Sequence, residues 1–239
     1  MLKIQFKLAY RALQGFAQFF LAKLLAGSKV PDYTLMCKCV QKLGKLSHAH
    51  SRTVILDTTG MKVVGEGEWK VKVHGQRRPR KWMKAHLAVD PQTLEIIAEI
   101  TTTSEVGDSR MAAPLLDQLT RSPKQVMADG GYDRQEARKV IKEKGAKPLI
   151  LPPKNARYKF KNDERDIAIL EILGLGGDRQ ARSLWGKLTG YNRRVLVETA
   201  FSSLKRLFGD QFFSKTIERQ KVESRFRCIL FNKMRRLAT

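Results

Sequence analysis

Two aspartates and a four-residue helical stripe carry the chemistry legible in this chain. Asp57 follows the apolar run Val54-Ile55-Leu56, and Asp129 follows Val126-Met127-Ala128. Acids just past the C-terminal ends of apolar strands stand where open α/β sheets place their ligands. Gly60, Gly130 and Gly131 beside them permit tight turns and close approach of a backbone or ligand. If the two strands are neighbours, the carboxylates converge, and a convergent pair is the minimum that holds Mg²⁺ together with substrate phosphate oxygens. Either aspartate alone is ordinary turn chemistry. Asp90, before Pro91, reads as a turn residue, and Asp133, with Glu136 three residues on, as a capping box.

The third element tips the balance. Tyr191, Arg194, Glu198 and Lys205 have the spacing Y-x2-R-x3-E-x6-K. On a helix turning about 100° per residue they fall within an arc of about 60°. An Arg-to-Glu i,i+4 pair alone would suit a solvated face. All four together present a carboxylate flanked by two cations.

The elements that must position these groups follow from patterning. Thr53 to Leu56 is a short β-branched run expected in a central strand. Val71, Val73 and the turn at residues 75–79 suggest a two-stranded basic ribbon. His86 to Val89, the turn at Asp90-Pro91 and Glu95 to Thr102 read as a second hairpin. A helix over Arg110–Leu119, a strand over Gln125–Ala128, a helix over Arg134–Lys144 and a strand over Lys147–Leu151 imply crossovers and parallel pairing. Residues 154–190 read as irregular around one short helix, Arg165–Leu173. Tyr191–Phe208 is expected as one long helix ended by Gly209, and the remainder as one or two basic helices.

Charge names the partner. The 239 residues carry 46 Lys and Arg against 23 Asp and Glu, a formal net charge of +23, which a compact chain tolerates best against a polyanion. Residues 1–52 hold nine Lys or Arg against one acid, Asp32, which could cap a helix from Tyr33 to Leu46. Ile4 to Ala26 reads as one or two amphipathic helices with Leu8, Ala12, Phe16, Phe19, Phe20 and Leu24 on the apolar face. Between Glu68 and Asp90 there is no acid, while Lys70, Lys72, Arg77, Arg78, Arg80, Lys81 and Lys84 accumulate beside Trp69 and Trp82. Those cations are candidates for a duplex track because they displace counterions, and the two tryptophans suit packing or base stacking. Cys37, Cys39 and Cys228 show neither a disulfide framework nor zinc spacing, and no His falls in a metal motif. The apolar run from Phe16 to Ala26 is too short to span a membrane, so a cytoplasmic, nucleoid-associated protein with no membrane partner is expected.

At this point the residues carry a resemblance. Ile-Leu-Asp57-Thr-Thr-Gly, Ala-Asp129-Gly-Gly-Tyr-Asp and the Tyr191/Arg194/Glu198/Lys205 stripe, in that order, resemble a DDE-type insertion-sequence transposase of the group bearing the YREK signature. Val30-Pro-Asp-Tyr-Thr-Leu, Gly65-Glu-Gly-Glu-Trp-Lys-Val, Lys84-Ala-His-Leu-Ala-Val-Asp and Asn232-Lys-Met fit as well, so the likeness runs nearly the whole chain. It implies an α/β fold with a ribonuclease-H-like mixed sheet flanked by helices and a basic helical N-terminal arm. Residues 1–50 would be that arm, for DNA binding or dimerisation and shorter than in many relatives. Residues 51–215 would be the catalytic core with an insertion at about 154–190, and 216–239 a basic helical tail.

The resemblance further implies that Asp57, Asp129 and Glu198 bind two Mg²⁺ (or Mn²⁺) ions and are catalytic. Arg194 and Lys205 would contact transposon-end phosphates, and Tyr191 would stand near the terminus. The substrate would be double-stranded DNA, at terminal inverted repeats and at the target, bound by a homodimer. After Pro-Asp-Tyr-Thr-Leu, the stretch Leu35-Met36-Cys37-Lys38-Cys39 lacks the consecutive arginines of the pattern. The competing readings are a ribonuclease-H-like nuclease that cuts without joining, and a catalytically impaired transposase derivative that binds DNA.

Overall fold

The computed structural model describes residues 2–24, 29–43, 46, 51–63, 82–161 and 163–238. The basic ribbon, with Lys70, Lys72, Arg77, Arg78, Arg80, Lys81 and Trp69, lies outside the described residues, as do His48, His50 and His74. In chain order the arm holds α1 (Leu2–Gln5), α2 (Tyr10–Leu24) and α3 (Tyr33–Gln41). The sheet follows with β1 (Thr53–Val63), β2 (Trp82–Val89) and β3 (Ile96–Thr103). Then come α4 (Ala112–Leu116), β4 (Gln125–Ala128), α5 (Gln135–Glu143) and β5 (Lys147–Ile150). The chain continues with α6 (Glu164–Gly174), α7 (Arg179–Leu188), α8 (Leu196–Phe208), β6 (Gln211–Phe212) and α9 (Ile217–Ala238).

The sheet order is β3-β2-β1-β4-β5, with β6 paired to the far end of β1. β1, β2 and β3 are antiparallel to their neighbours, whereas β1, β4 and β5 run parallel. This is the mixed, helix-flanked sheet of a ribonuclease-H-like fold. Central β1 is buried on both faces, which is why its first half is a continuous apolar run. Ile55 joins Met127, Tyr191, Val197, Phe201, Leu204 and Phe231 on one side. Val54 and Leu56 join Val126, Ala128, Leu115, Tyr132 and Ile141 on the other. Leu56 is fully buried, and truncating such a residue to Ala costs about 2–5 kcal/mol.

Several expectations need correcting. β1 does not stop at Leu56 but runs through Asp57 to Val63, because the antiparallel ladder to β2 continues from Leu56 opposite Ala88 to Lys62 opposite Trp82. The helix expected over Arg110–Leu119 is a 3₁₀ turn, Asp108–Met111, followed by the single-turn α4. Residues 154–190 contain two helices, not one. Asp163 caps α6 through the backbone N–H groups of Arg165 and Asp166, and Asp178 caps α7 through that of Ala181. Tyr191–Phe208 is not one α-helix: Tyr191–Val195 is a 3₁₀ turn feeding α8.

In the arm, Asp32 caps α3 by accepting from the Thr34 N–H, as expected, but the helix ends at Gln41. On α2, Ala17 is buried while Phe19 and Phe20 are exposed, since this helix packs mainly on the short α3. The last segment is one helix, α9, and it forms a wall of the core. Cys228, Leu230 and Phe231 enter the main cluster, and the Asn232 amide both accepts from the Ile96 N–H (2.9 Å) and donates to the Ile96 carbonyl (2.8 Å). Asn232 thereby supplies β3 with the two hydrogen bonds a neighbouring strand would give. Among the described residues no helix is long and apolar enough to cross a membrane.

Candidate active site

The parallel ladder between β1 and β4 ends at Leu56 opposite Ala128. The next residues, Asp57 and Asp129, therefore stand side by side where the two strands part. Asp57 remains in the antiparallel ladder opposite Leu87, and its side chain is 12% exposed. One carboxylate oxygen, Oδ1, accepts the Thr58 N–H at 2.8 Å. The other, Oδ2, accepts from Arg194 Nη1 at 2.7 Å. Burial is the main force pushing the Asp57 pKa up to about 6, and repulsion from Asp129 and Glu198 adds to it. The Thr58 N–H and the Arg194 guanidinium pull the other way.

Asp129 begins a 3₁₀ turn, Gly130–Tyr132, and accepts the Gly131 N–H at 2.9 Å. A Cβ on Gly131 would stand 3.0 Å from Asp129 Oδ1. A side chain at that position would therefore have to push the Asp129 carboxylate back by a few tenths of an ångström.

Glu198 sits in the first turn of α8, where a carboxylate is favoured by the helix dipole. It accepts from Arg194 Nη2 at 2.9 Å and is exposed. The chain reaches it through Gly190, at φ +75°, and the turn that starts at Tyr191. A 3₁₀ turn repeats every three residues, so Tyr191 and Arg194 still stack, and Arg194 still reaches Glu198 at i,i+4. The stripe survives the change of helix type. Tyr191 itself is buried: its hydroxyl donates to the Ala128 carbonyl at 3.2 Å, one residue before Asp129. Burial pushes its phenol up to about 12. Lys205 lies about 10 Å further along α8 from Glu198. It is half-buried, and burial, opposed by nearby Asp210, lowers its pKa.

The structure thus links Asp57, Arg194 and Glu198 directly and ties Tyr191 to the strand that delivers Asp129. Among the described residues no group of three or more His, Cys, Asp or Glu is gathered closely enough to hold a metal ion as arranged. Arg194 bridges two of the three acids, its guanidinium bonding one oxygen of Asp57 and one of Glu198. By donor chemistry the three carboxylates fit a hard divalent cation. Their mutual repulsion, felt at Asp57, is what such a cation relieves.

Two clusters near these acids escape sequence reasoning. The first is on the opposite face of the sheet. His86, fully buried on β2, bonds Thr58 Oγ1 through Nδ1 (2.9 Å) and Thr102 Oγ1 through Nε2 (2.8 Å). The Tyr132 hydroxyl lies 3.3 Å from Thr58 Oγ1, and Lys84 pairs with Asp108 at 3.0 Å. The period-2 spacing of Lys84 and His86 was the available signal. In the second, Asp133 is no helix cap. Arg134 holds the N-cap position of α5 without a side-chain bond. Asp133, 2% exposed, instead binds Arg138 (2.8 Å) and Arg165 (3.0 Å). The Arg165 bond ties the turn after Asp129 to α6.

Comparison with known families adds a finding independent of this geometry. A family model described as Transposase DDE domain matches residues 48–233, spanning β1 through most of α9. A second model with the same description matches residues 1–66.

Proposed function

The chain belongs to the transposase DDE domain family, and from that premise we propose that it cleaves DNA strands at transposon ends and transfers them into target DNA. The observation that carries this reading is the side-by-side placement of Asp57 and Asp129 just past the end of the parallel β1–β4 ladder, with Glu198 joined to Asp57 through Arg194. Asp57, Asp129 and Glu198 would hold two Mg²⁺ or Mn²⁺ ions, whose chemistry is to polarise the attacking oxygen and stabilise the leaving one.

The chain's own groups do the rest. The Thr58 N–H orients the Asp57 carboxylate, and the Gly131 N–H orients that of Asp129. Tyr191 fixes the β4 exit from beneath rather than by reaching the DNA terminus. Arg194 and Lys205 are the phosphate contacts on α8, and the cations at 70–81 extend the duplex track. In cleavage, water forms a bond to phosphorus as the bond to the 3′-oxygen breaks, leaving a 3′-hydroxyl. In transfer, that hydroxyl displaces a target 3′-oxygen in turn, so one phosphodiester replaces another without a covalent enzyme intermediate. Two ends must be joined in one event, which calls for a homodimer on DNA. We place the enzyme in the YREK-signature group and at the nucleoid.

The test is cleavage by the purified chain, with Mg²⁺ or Mn²⁺, of duplexes carrying the element's terminal inverted repeats. Asp57→Ala, Asp129→Ala and Glu198→Ala should each abolish cutting and leave binding intact. Cutting by the triple variant would overturn the site assignment. Cutting without joining would make the chain a nuclease, and binding without cutting under either metal would make it a DNA-binding derivative.

A further inference from the structure

The two strand-borne acids are supported from behind by a chain of hydrogen bonds. Successive strand residues face opposite sides of a sheet, so Thr58 points away from the face that carries Asp57, toward His86, its cross-strand partner. Burial pushes the His86 pKa down to about 4, so the ring is neutral near pH 7, with one nitrogen donating and the other accepting. The surroundings choose which. The Thr102 hydroxyl donates to the Thr103 carbonyl (3.1 Å), so its oxygen is free to accept from His86 Nε2–H. His86 Nδ1 must then accept from the Thr58 hydroxyl, whose oxygen accepts from Tyr132 O–H.

With that tautomer, the donors in the row Tyr132, Thr58, His86, Thr102 all point one way. Asp108 Oδ1, at 3.9 Å from Nδ1, is too distant to compete, and Lys84 neutralises it.

Two adjacent members of this row, Thr58 and Tyr132, lead to the proposed metal-binding acids. Thr58 gives its own N–H to Asp57 Oδ1. Tyr132 closes the turn that Asp129 begins, donating its N–H to the Asp129 carbonyl at 3.1 Å, and is itself fully buried. We propose that His86 is a positioning residue that sets the spacing of Asp57 and Asp129, acting through the Thr58 and Tyr132 hydroxyls. The inference rests on the reading of Asp57 and Asp129 as metal ligands. Outer-shell partners of ligands typically change metal affinity about 10–100-fold when removed.

Mn²⁺ affinity, measured on the full chain with and without duplex DNA by electron paramagnetic resonance, well below each variant's melting temperature, tests it. His86→Phe keeps the ring volume and removes both bonds. Thr58→Val keeps the β-branched shape and cuts the row, and Tyr132→Phe cuts its other end. Each should weaken Mn²⁺ binding about 10-fold or more. Thr58→Ser retains the hydroxyl and should bind Mn²⁺ as the wild type does.

Lowered melting temperatures with unchanged Mn²⁺ affinity in folded His86→Phe and Thr58→Val would overturn the proposal and leave His86 a packing residue. Asp57→Asn and Asp129→Asn separate this failure from that of the underlying reading. If both retain wild-type Mn²⁺ affinity, the metal-site reading falls and the inference with it. If they lose Mn²⁺ while His86→Phe and Thr58→Val keep it, the inference alone falls.

Discussion

Replacing Arg194 by Ala should yield a protein that is less stable without metal and yet binds divalent cations more tightly. The guanidinium makes two charge-assisted hydrogen bonds of unequal worth. Asp57 is 12% exposed, so its 2.7 Å bond contributes about 2–3 kcal/mol. Glu198 is 57% exposed and pairs at i,i+4, so solvent screening leaves about 0.3–0.5 kcal/mol there. The loss is partly relieved because Asp57, left beside Asp129 and Glu198, takes up a proton more readily. A net cost of about 2 kcal/mol lowers the melting temperature of a domain this size by about 4–8 °C.

A metal ion that binds the same oxygens must displace the guanidinium in the wild type but not in the variant. At 1.4 kcal/mol per tenfold, Mn²⁺ should bind Arg194→Ala about 10-fold more tightly or better. Calorimetric melts across a Mn²⁺ titration read both quantities. Arg194→Lys, a single point charge without the guanidinium fork, should fall between. Unchanged melting and unchanged or weaker Mn²⁺ binding would show that Arg194 does not hold the acids together.

Other outcomes follow from the same geometry. The Asp57 pKa, about 6 when folded against an ordinary 3.8, means the folded state holds a proton that the unfolded state releases. Its contribution, about 3 kcal/mol, is present below about pH 4 and lost as pH rises through 6. Saturating Mg²⁺ should restore melting temperature at pH 7 and do little at pH 4.5, and equal rescue at both would contradict the assignment. Asp133→Asn strands Arg138 and Arg165 and should cost about 3–5 kcal/mol, with faster hydrogen exchange in α6; a variant as stable as wild type, with α6 unchanged, would refute the anchor. Gly131→Ala pushes a Cβ against Asp129 Oδ1 and should weaken Mn²⁺ binding with only a small melting shift, whereas unaltered affinity would show that the carboxylate relaxes freely.

The parts legible in the sequence were those with local periodicity. β4 and β5 are short β-branched or apolar runs between clear helix signals, and the Tyr191-to-Lys205 spacing survived its 3₁₀ start because three and four residues both return to one face. The capping-box pattern at Asp133 misleads because it is local, while the partners of Asp133, Arg138 and Arg165, come from the next helix and from α6. The second helix of the insertion hid behind Gly174-Leu-Gly-Gly, although Asp178 is an ordinary N-cap. Nothing local to His86 gives it a role; that comes only from pairing with Thr58 across one ladder and from Thr102 across the other. The elevated pKa of Asp57 likewise depends on how deep the strand runs.

Asn232 completes β3 from 136 residues away, and this has a consequence for biosynthesis. During translation the five main strands emerge well before α9, so the newly made sheet has an edge whose backbone groups at Ile96 await a partner. Until that late helix arrives, the edge is open to another chain or to chaperones. Glu198, too, emerges some 140 residues after Asp57. A ribosome-bound fragment ending before α8 holds both aspartates but lacks Glu198 and the α8 and α9 side chains that cover Ile55. Synthesis itself delays assembly of the three carboxylates until the sheet is nearly sealed.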